Sequence, residues 1–554
     1  MKKAKILILF LIAVILLPIL ASCDNKKDYE NVLRIYNWAD YINEDVLTEF
    51  KNLYNVEIEY EEFDTNETML TKLEKGKEYY DLICPSDYMI QRLIKSDLIQ
   101  QLDYDRIPNY QNYSSAYIND KFAPLVSDGS GNKYAIGYTW GVMGILYNID
   151  NVNNKNKTED EINSWELLFD PDFKNEVYMK DSIRDTFAAL SLYAYRERLT
   201  AGYALNEGDA GYEDRLTPEY VLKDSSDEIL DKLVQAMREQ KNAVNPSFEV
   251  DEAKNEMAEG KYSAALMWNG DAYAAIEAGL FEFDKDGNKL GLKPENNRVH
   301  LGFALPKEGN NIFFDGFAIP KQNRSKEKED LIYKFLDFIS HPDNALNNVE
   351  YIGYTSVIAG DRDNDAIFEY ARSTGALDYA RAGDHDVSYF FPSGAGAGTF
   401  DYPADFKVSE ILYPDREYIE KKCAVMYDYG GRTQDFNDAW VQSRGENFPG
   451  WAIALIVIGA VIAVCGALAF IFREKLRAFI GKKFPSLSAK KPAAVQDKPK
   501  PTGDSPSAAR EEPKPAEEEA SAAPISEQPS DEGTSGKPRE MLDDEDDDFI
   551  PPVK

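Results

Sequence analysis

The sequence predicts an α/β fold with a mainly parallel sheet, followed by one membrane-spanning helix and a disordered tail. Three observations lead there. Short strand patterns alternate with helical ones near the start of the chain. An uncharged apolar run extends from Trp451 to Phe472. Beyond Lys483 the composition collapses into Pro, Ala, Ser, Glu and Lys.

The alternating region comes first. Leu33-Arg34-Ile35-Tyr36 and Val56-Glu57-Ile58-Glu59-Tyr60 show the period of two that a half-buried strand requires, and Asp45 to Leu53 between them has helical spacing. Thr68 to Leu73 predicts a second helix, and Asp81 to Cys84 a short buried strand. Such alternation builds βαβ units and a parallel sheet. Ligands of such sheets bind beyond the carboxyl ends of the strands. Trp38 and Ser86 each fall just past a strand end, where a cleft would open.

Both chain ends are membrane signals. Lys2, Lys3 and Lys5 precede the apolar run Ile6 to Leu20, and Leu20-Ala21-Ser22-Cys23 closes it. That is the layout of an export signal over residues 1–23, and the tetrapeptide resembles the bacterial lipobox, which makes Cys23 the expected lipidation site. The run 451–472 is long enough to cross ~30 Å of hydrocarbon at ~1.5 Å per residue. Arg473, Lys475, Arg477, Lys482 and Lys483 crowd its far end and stay in the cytoplasm by the positive-inside tendency. The region between Cys23 and Phe448 then faces outward, in independent agreement with the export signal. Residues 484–554, ending in Asp543-Asp544-Glu545-Asp546-Asp547-Asp548, bury too little apolar surface to offset chain entropy and read as a disordered acidic cytoplasmic tail.

Charge and motifs exclude several classes. The 554 residues carry 97 acidic against 62 basic side chains, a net charge of −35. That balance argues against nucleic acid, which needs clustered Lys and Arg, and suits a cationic partner. Four cysteines, Cys23, Cys84, Cys423 and Cys465, have no metal-finger spacing and predict no disulfide framework. His300, His341 and His385 stand in unrelated contexts, and no GxSxG elbow, HExxH helix or Walker loop marks an enzyme. Ser393 to Gly398 is glycine-rich without the Lys of a phosphate loop and reads as a surface loop. Asp361-Arg362-Asp363-Asn364-Asp365 echoes a calcium loop but lacks its central Gly, so a helix N-cap is the better reading. No cofactor or metal is expected.

Tyr36-Asn37-Trp38-Ala39-Asp40-Tyr41 begins a longer pattern. Asn66-Glu67-Thr68-Met69 follows, then Asp81-Leu82, Pro85-Ser86-Asp87-Tyr88, Trp140-Gly141, Trp165 and Ser182 to Phe187. Met267-Trp268-Asn269-Gly270, Phe314-Asp315, Ala318-Ile319-Pro320 and Ile352-Gly353-Tyr354 complete it. In this order the motifs resemble those of the bacterial spermidine/putrescine-binding proteins, the substrate-binding components of polyamine ABC transporters. The resemblance spans about 32–429. It implies a two-lobed, periplasmic-binding-protein-like (type II) fold with the ligand between the lobes. Residues 28–139 and 270–320 would form lobe one, and 140–269 and 321–445 lobe two. The stretches near 200–225 and 375–402 look like insertions.

A polyamine is a methylene chain bearing ammonium groups, so its site needs carboxylates at the charged ends and aromatic walls between. The resemblance implies walls from Trp38, Tyr41, Tyr88, Trp268, Phe313 and Tyr354, a hydroxyl from Ser86, and carboxylates from Asp185 and Asp315. Ser182 departs from the Asp of spermidine binders. Asp40, Asp271 and Phe313 resemble the putrescine-preferring branch, so putrescine is favoured over spermidine. The implied partners are ABC permease subunits with a cytoplasmic ATPase. Two other readings stay open: a binding protein for another small solute, with Arg184 available to anchor a carboxylate, and a membrane-anchored sensor that signals through its tail.

Overall fold

The computed structural model describes residues 30–76, 79–250, 252–285, 289–374, 386–396, 398–403 and 406–444. The segments carrying Cys23, the apolar run 451–472 and the acidic tail lie outside the described residues. Among the described residues no helix is long and apolar enough to cross a membrane.

β1 (Val32–Trp38) pairs in parallel with β2 (Glu57–Phe63), Val32 opposite Glu57 and Trp38 opposite Phe63. Between them α1 (Glu44–Tyr54) starts at Asn43, whose side chain accepts from the Asp45 N–H, and stops at Asn55 in the left-handed conformation. α2 (Asn66–Lys75) is capped by Thr65. β3 (Leu82–Ile83) adds to the other side of β1 in parallel, and α3 (Asp87–Lys95) follows from Ser86. The βαβ reading of this region therefore holds; β1, β2, α1 and α2 run a residue or more longer than their patterns, and β3 is two residues where four were expected.

The centre of the sheet is built differently. β4 (Ala135–Asn148) is buried along its whole length, as a strand covered on both faces must be. Next come β5 (Val177–Lys180), α4 (Ile183–Ala194), β6 (Ser247–Glu249), β7 (Ala264–Trp268) and α5 (Asn269–Leu280). A small hairpin, β8 (Phe281–Phe283) with β9 (Lys289–Leu292), leads to β10 (Leu301–Ala304) and β11 (Asn310–Ala318). β11 and β7 both run antiparallel to β4. The sheet order is β2-β1-β3-β11-β4-β7-β5-β6, with β10 also on β4. The expectation of a mainly parallel sheet is thus corrected: outer pairs are parallel, and the long central pairs are antiparallel.

Two cores sit along this sheet. In the first, α6 (Lys326–Ile339) packs Phe335 and Phe338 edge-on against Phe50 of α1, and α7 (Pro342–Ile352) leads into β12 (Thr355–Ser356) on β4. The second gathers Trp165, Phe173 and Phe187, and Phe187 meets Phe436 and Trp440 of α8 (Thr433–Arg444), which follows β13 (Cys423–Ala424). β4, β7 and β13 contribute side chains to both cores, as Val142 and Leu146 to the first and Met143, Ile145 and Tyr147 to the second.

α5 and β10 stack with β7 and β4, and their residues Ala272, Tyr273, Ile276, Leu301 and Phe303 join the first core. Residues of 326–374 pack with the first core as well. Asp361 forms a turn, its carboxylate accepting from the N–H groups of Asp363 and Asn364, just before helix Ala366–Thr374. Cys84 and Cys423 are buried free thiols.

Candidate binding cleft

The site forms where elements from both cores end. After Trp38 the chain turns through Asp40 at φ 51°, a left-handed conformation that Asp tolerates better than bulky residues. The turn leaves Asp40 exposed at the rim and sends Tyr41 inward. Ser86 precedes α3 without capping it, so its hydroxyl is free to accept from Asn66 Nδ2 at 3.0 Å. Ser182 caps α4 by accepting from the Asp185 N–H. Trp268 ends β7, and Asp271 lies in the first turn of α5, where a helix N-terminus favours negative charge.

Phe313 and Asp315 come from β11. α7 ends at Gly353 and delivers Tyr354. These side chains wall a cavity of about 320 Å³. Trp38, Asp40, Tyr41, Ser86, Tyr88, Asp185, Trp268, Asp271, Phe313, Asp315 and Tyr354 all line it. Tyr354 belongs to the first core, and its hydroxyl donates to Asp271 Oδ1 at 2.9 Å.

The aromatic wall is continuous. Tyr41 meets Tyr354 edge-on at 5.2 Å, Tyr354 meets Phe313 at 6.4 Å, and Phe313 meets Trp268 at 6.4 Å. Close approach makes it possible. A Cβ on Gly270 would fall inside the Tyr354 ring, and one on Gly141 would strike Asn269 and Phe313.

The carboxylates differ in how they are matched. Asp315 Oδ2 accepts from Tyr41 at 2.8 Å, while its buried Oδ1 has no hydrogen-bond partner. Burial pushes Asp315 up to about 6, against the pull of Ser86 and Tyr41 and with the help of Asp185. Asp87 is also raised by burial, and its Oδ2 is likewise without a partner. Asp185 is raised by burial too, opposed by Ser182 and Lys180. Burial would raise Asp271, but Lys180, Lys254 and Tyr354 bring it below the usual carboxylate range.

A buried carboxylate pair with open oxygens is costly unless a cation arrives. An ammonium ligand binds the ionised form of Asp315, so its affinity should fall as the group takes up a proton. With Asp315 at about 6, an ammonium ligand should bind about tenfold more weakly at pH 5 than at pH 7. Titrations at the two pH values check this; equal affinities would remove Asp315 from the site.

The wall also holds charged residues outside the expected binding set. Asp87 stands in one of the quoted motifs. Arg184, weighed only as a carboxylate anchor, stacks its guanidinium 4.1 Å from the Tyr88 ring and 3.9 Å from that of Tyr429, and donates to the Tyr427 carbonyl. Lys254 reaches the cavity from the helix Glu252–Ala258. Behind the wall Lys180 pairs with Asp271 at 2.9 Å. Its one sequence signal is a charge closing the apolar strand Val177–Lys180.

A family model described as bacterial extracellular solute-binding protein matches residues 45–372. The chain belongs to this family. Among its relatives, the spermidine/putrescine-binding periplasmic protein of Salmonella typhimurium is 28% identical over 326 residues, 58% of this chain and 77% of that protein. The putrescine-binding periplasmic protein of Pseudomonas aeruginosa is 28% identical over 331 residues, 58% of this chain and 76% of that one. A solved structure from Streptococcus pneumoniae, a spermidine/putrescine ABC transporter substrate-binding protein, has a TM-score of 0.50 at 24% identity. It covers 75% of this chain and 98% of its own, which is a likeness of fold. The two-lobed architecture of solute-binding proteins, expected from the motifs, is the one observed.

Proposed function

We propose that this solute-binding protein captures small polyamines outside the cell, putrescine in preference to spermidine, and presents them to an ABC permease with a cytoplasmic ATPase. It carries no catalytic role in this reading. The observation that carries it is the pair of buried oxygens, Asp315 Oδ1 and Asp87 Oδ2, left without partners behind a wall of Tyr41, Tyr354, Phe313 and Trp268. Carboxylates meet ammonium ends there, and aromatic faces meet the methylene chain and add roughly 0.5–2 kcal/mol per cation contact. Asp40 at the rim and Phe313 in the wall support the shorter diamine by resemblance. The names of the relatives support the polyamine class.

Arg184 Nε is buried without a hydrogen-bond partner, and that favours one competing ligand type, an amine that also bears a carboxylate. Thermal unfolding separates the two. A ligand at about 100 times its dissociation constant adds about 2.7 kcal/mol, so putrescine should raise the melting temperature and lysine should not. A shift with lysine and none with putrescine would replace the polyamine reading.

The membrane attachment belongs to the same proposal: a lipid on Cys23, a span over 451–472 and a cytoplasmic tail. Cys23→Ala should leave the protein in the membrane fraction, held by the span. Removing residues from Phe448 onward in that variant should release it. Release by Cys23→Ala alone would mean the apolar run is no anchor.

A further inference from the structure

Lys180 closes β5 with a side chain only 1% exposed. Its Nζ donates to Asp271 Oδ2 at 2.9 Å and to the Val250 carbonyl at 3.0 Å, and it lies 3.6 Å from the centroid of the Trp268 ring. A carboxylate, a carbonyl and an aromatic face are the partners that a buried alkylammonium needs. Trp268, Asp271 and Val250 all line the cavity. The protein's own side chain therefore makes, at the cavity wall, the contacts that a ligand's amino group would otherwise make there.

We propose that Lys180 is an internal ammonium that fills the subsite at Trp268 and Asp271, so that the cleft takes a diamine and discriminates against a triamine. This rests on the polyamine reading and names the residue that sets ligand charge within it. The open oxygens of Asp315 and Asp87 remain for one ammonium, and Asp185, which Lys180 offsets only in part, lines the same cavity for the second. A third ammonium extending toward Trp268 would find Asp271 already held by Lys180 and Tyr354 and would face a like charge. Like-charge juxtaposition at a desolvated site is strongly unfavourable. An uncharged extension of the same length meets no such penalty, which separates charge from size.

The test uses the full-length protein and three ligands: putrescine, spermidine, and N-propylputrescine, which has the spermidine skeleton without its terminal amine. Wild type should bind N-propylputrescine about tenfold more tightly than spermidine, the scale of one unfavourable charge contact. Lys180→Met should raise spermidine affinity relative to putrescine by about tenfold, and Lys180→Arg should leave that ratio near the wild-type value. The wild-type comparison decides the matter even if Lys180→Met fails to fold. Spermidine binding wild type as tightly as N-propylputrescine would overturn the role of Lys180 while leaving the polyamine reading intact. Wild type binding none of the three would overturn both.

Discussion

Asp315→Asn should weaken putrescine binding by about 2 kcal/mol or more while leaving the ligand-free protein at least as stable as wild type. The loss follows from charge: removing one partner of a desolvated ion pair strands the other, at a typical cost of about 2–5 kcal/mol. The stability follows from the sign of the shift. Asp315 rises from 3.8 to about 6 in the fold, so its ionised form is disfavoured there relative to the unfolded chain. That cost is present above pH 6 and vanishes as pH falls below the unfolded value near 3.8. It is on the order of 3 kcal/mol at neutral pH. An amide carries no such cost, and its oxygen still accepts from Tyr41. A purely structural Asp315 would give the opposite pair of results, a lower melting temperature with unaltered affinity. Calorimetric titration and thermal unfolding of the same variant read both.

Gly270→Ala should lower both stability and affinity through one collision. Gly270 lies in the first turn of α5, one residue before Asp271, and an added methyl would overlap the Tyr354 ring. Its backbone has no positive φ, so space alone demands the glycine. Overpacking of this kind costs typically about 1–3 kcal/mol. Relief requires Tyr354 or the start of α5 to move, and either movement breaks the Tyr354–Asp271 hydrogen bond in the cavity wall. Putrescine affinity should fall roughly tenfold, an equivalent of about 1.4 kcal/mol. Adding Tyr354→Ala should recover part of the lost stability, because the two changes share one contact. Full stability and affinity in Gly270→Ala alone would show that the helix start shifts freely.

What the sequence made legible was local. β1, β2 and α1 followed from period and caps, and the strand-end positions of Trp38 and Ser86 placed both at the cleft. The collinear motifs supplied the remaining wall, down to Asp315 and Tyr354. How the central strand serves both cores was not legible. β4 is buried along its whole length, so nothing in its composition marks which side chains face which core. Nor could the sequence foretell that Asp271 is already matched, because Lys180 lies 91 residues away and meets it only through the pairing of β5 with β7. Burial, which sets the state of Asp315 and Asp87, is likewise a property of the assembled sheet.

Calorimetric titration of the full-length protein at pH 7 with putrescine, spermidine and lysine tests the central claim most directly. Binding of putrescine to one site, weaker binding of spermidine and no heat from lysine is the predicted pattern. A protein that binds lysine and ignores both polyamines would contradict it.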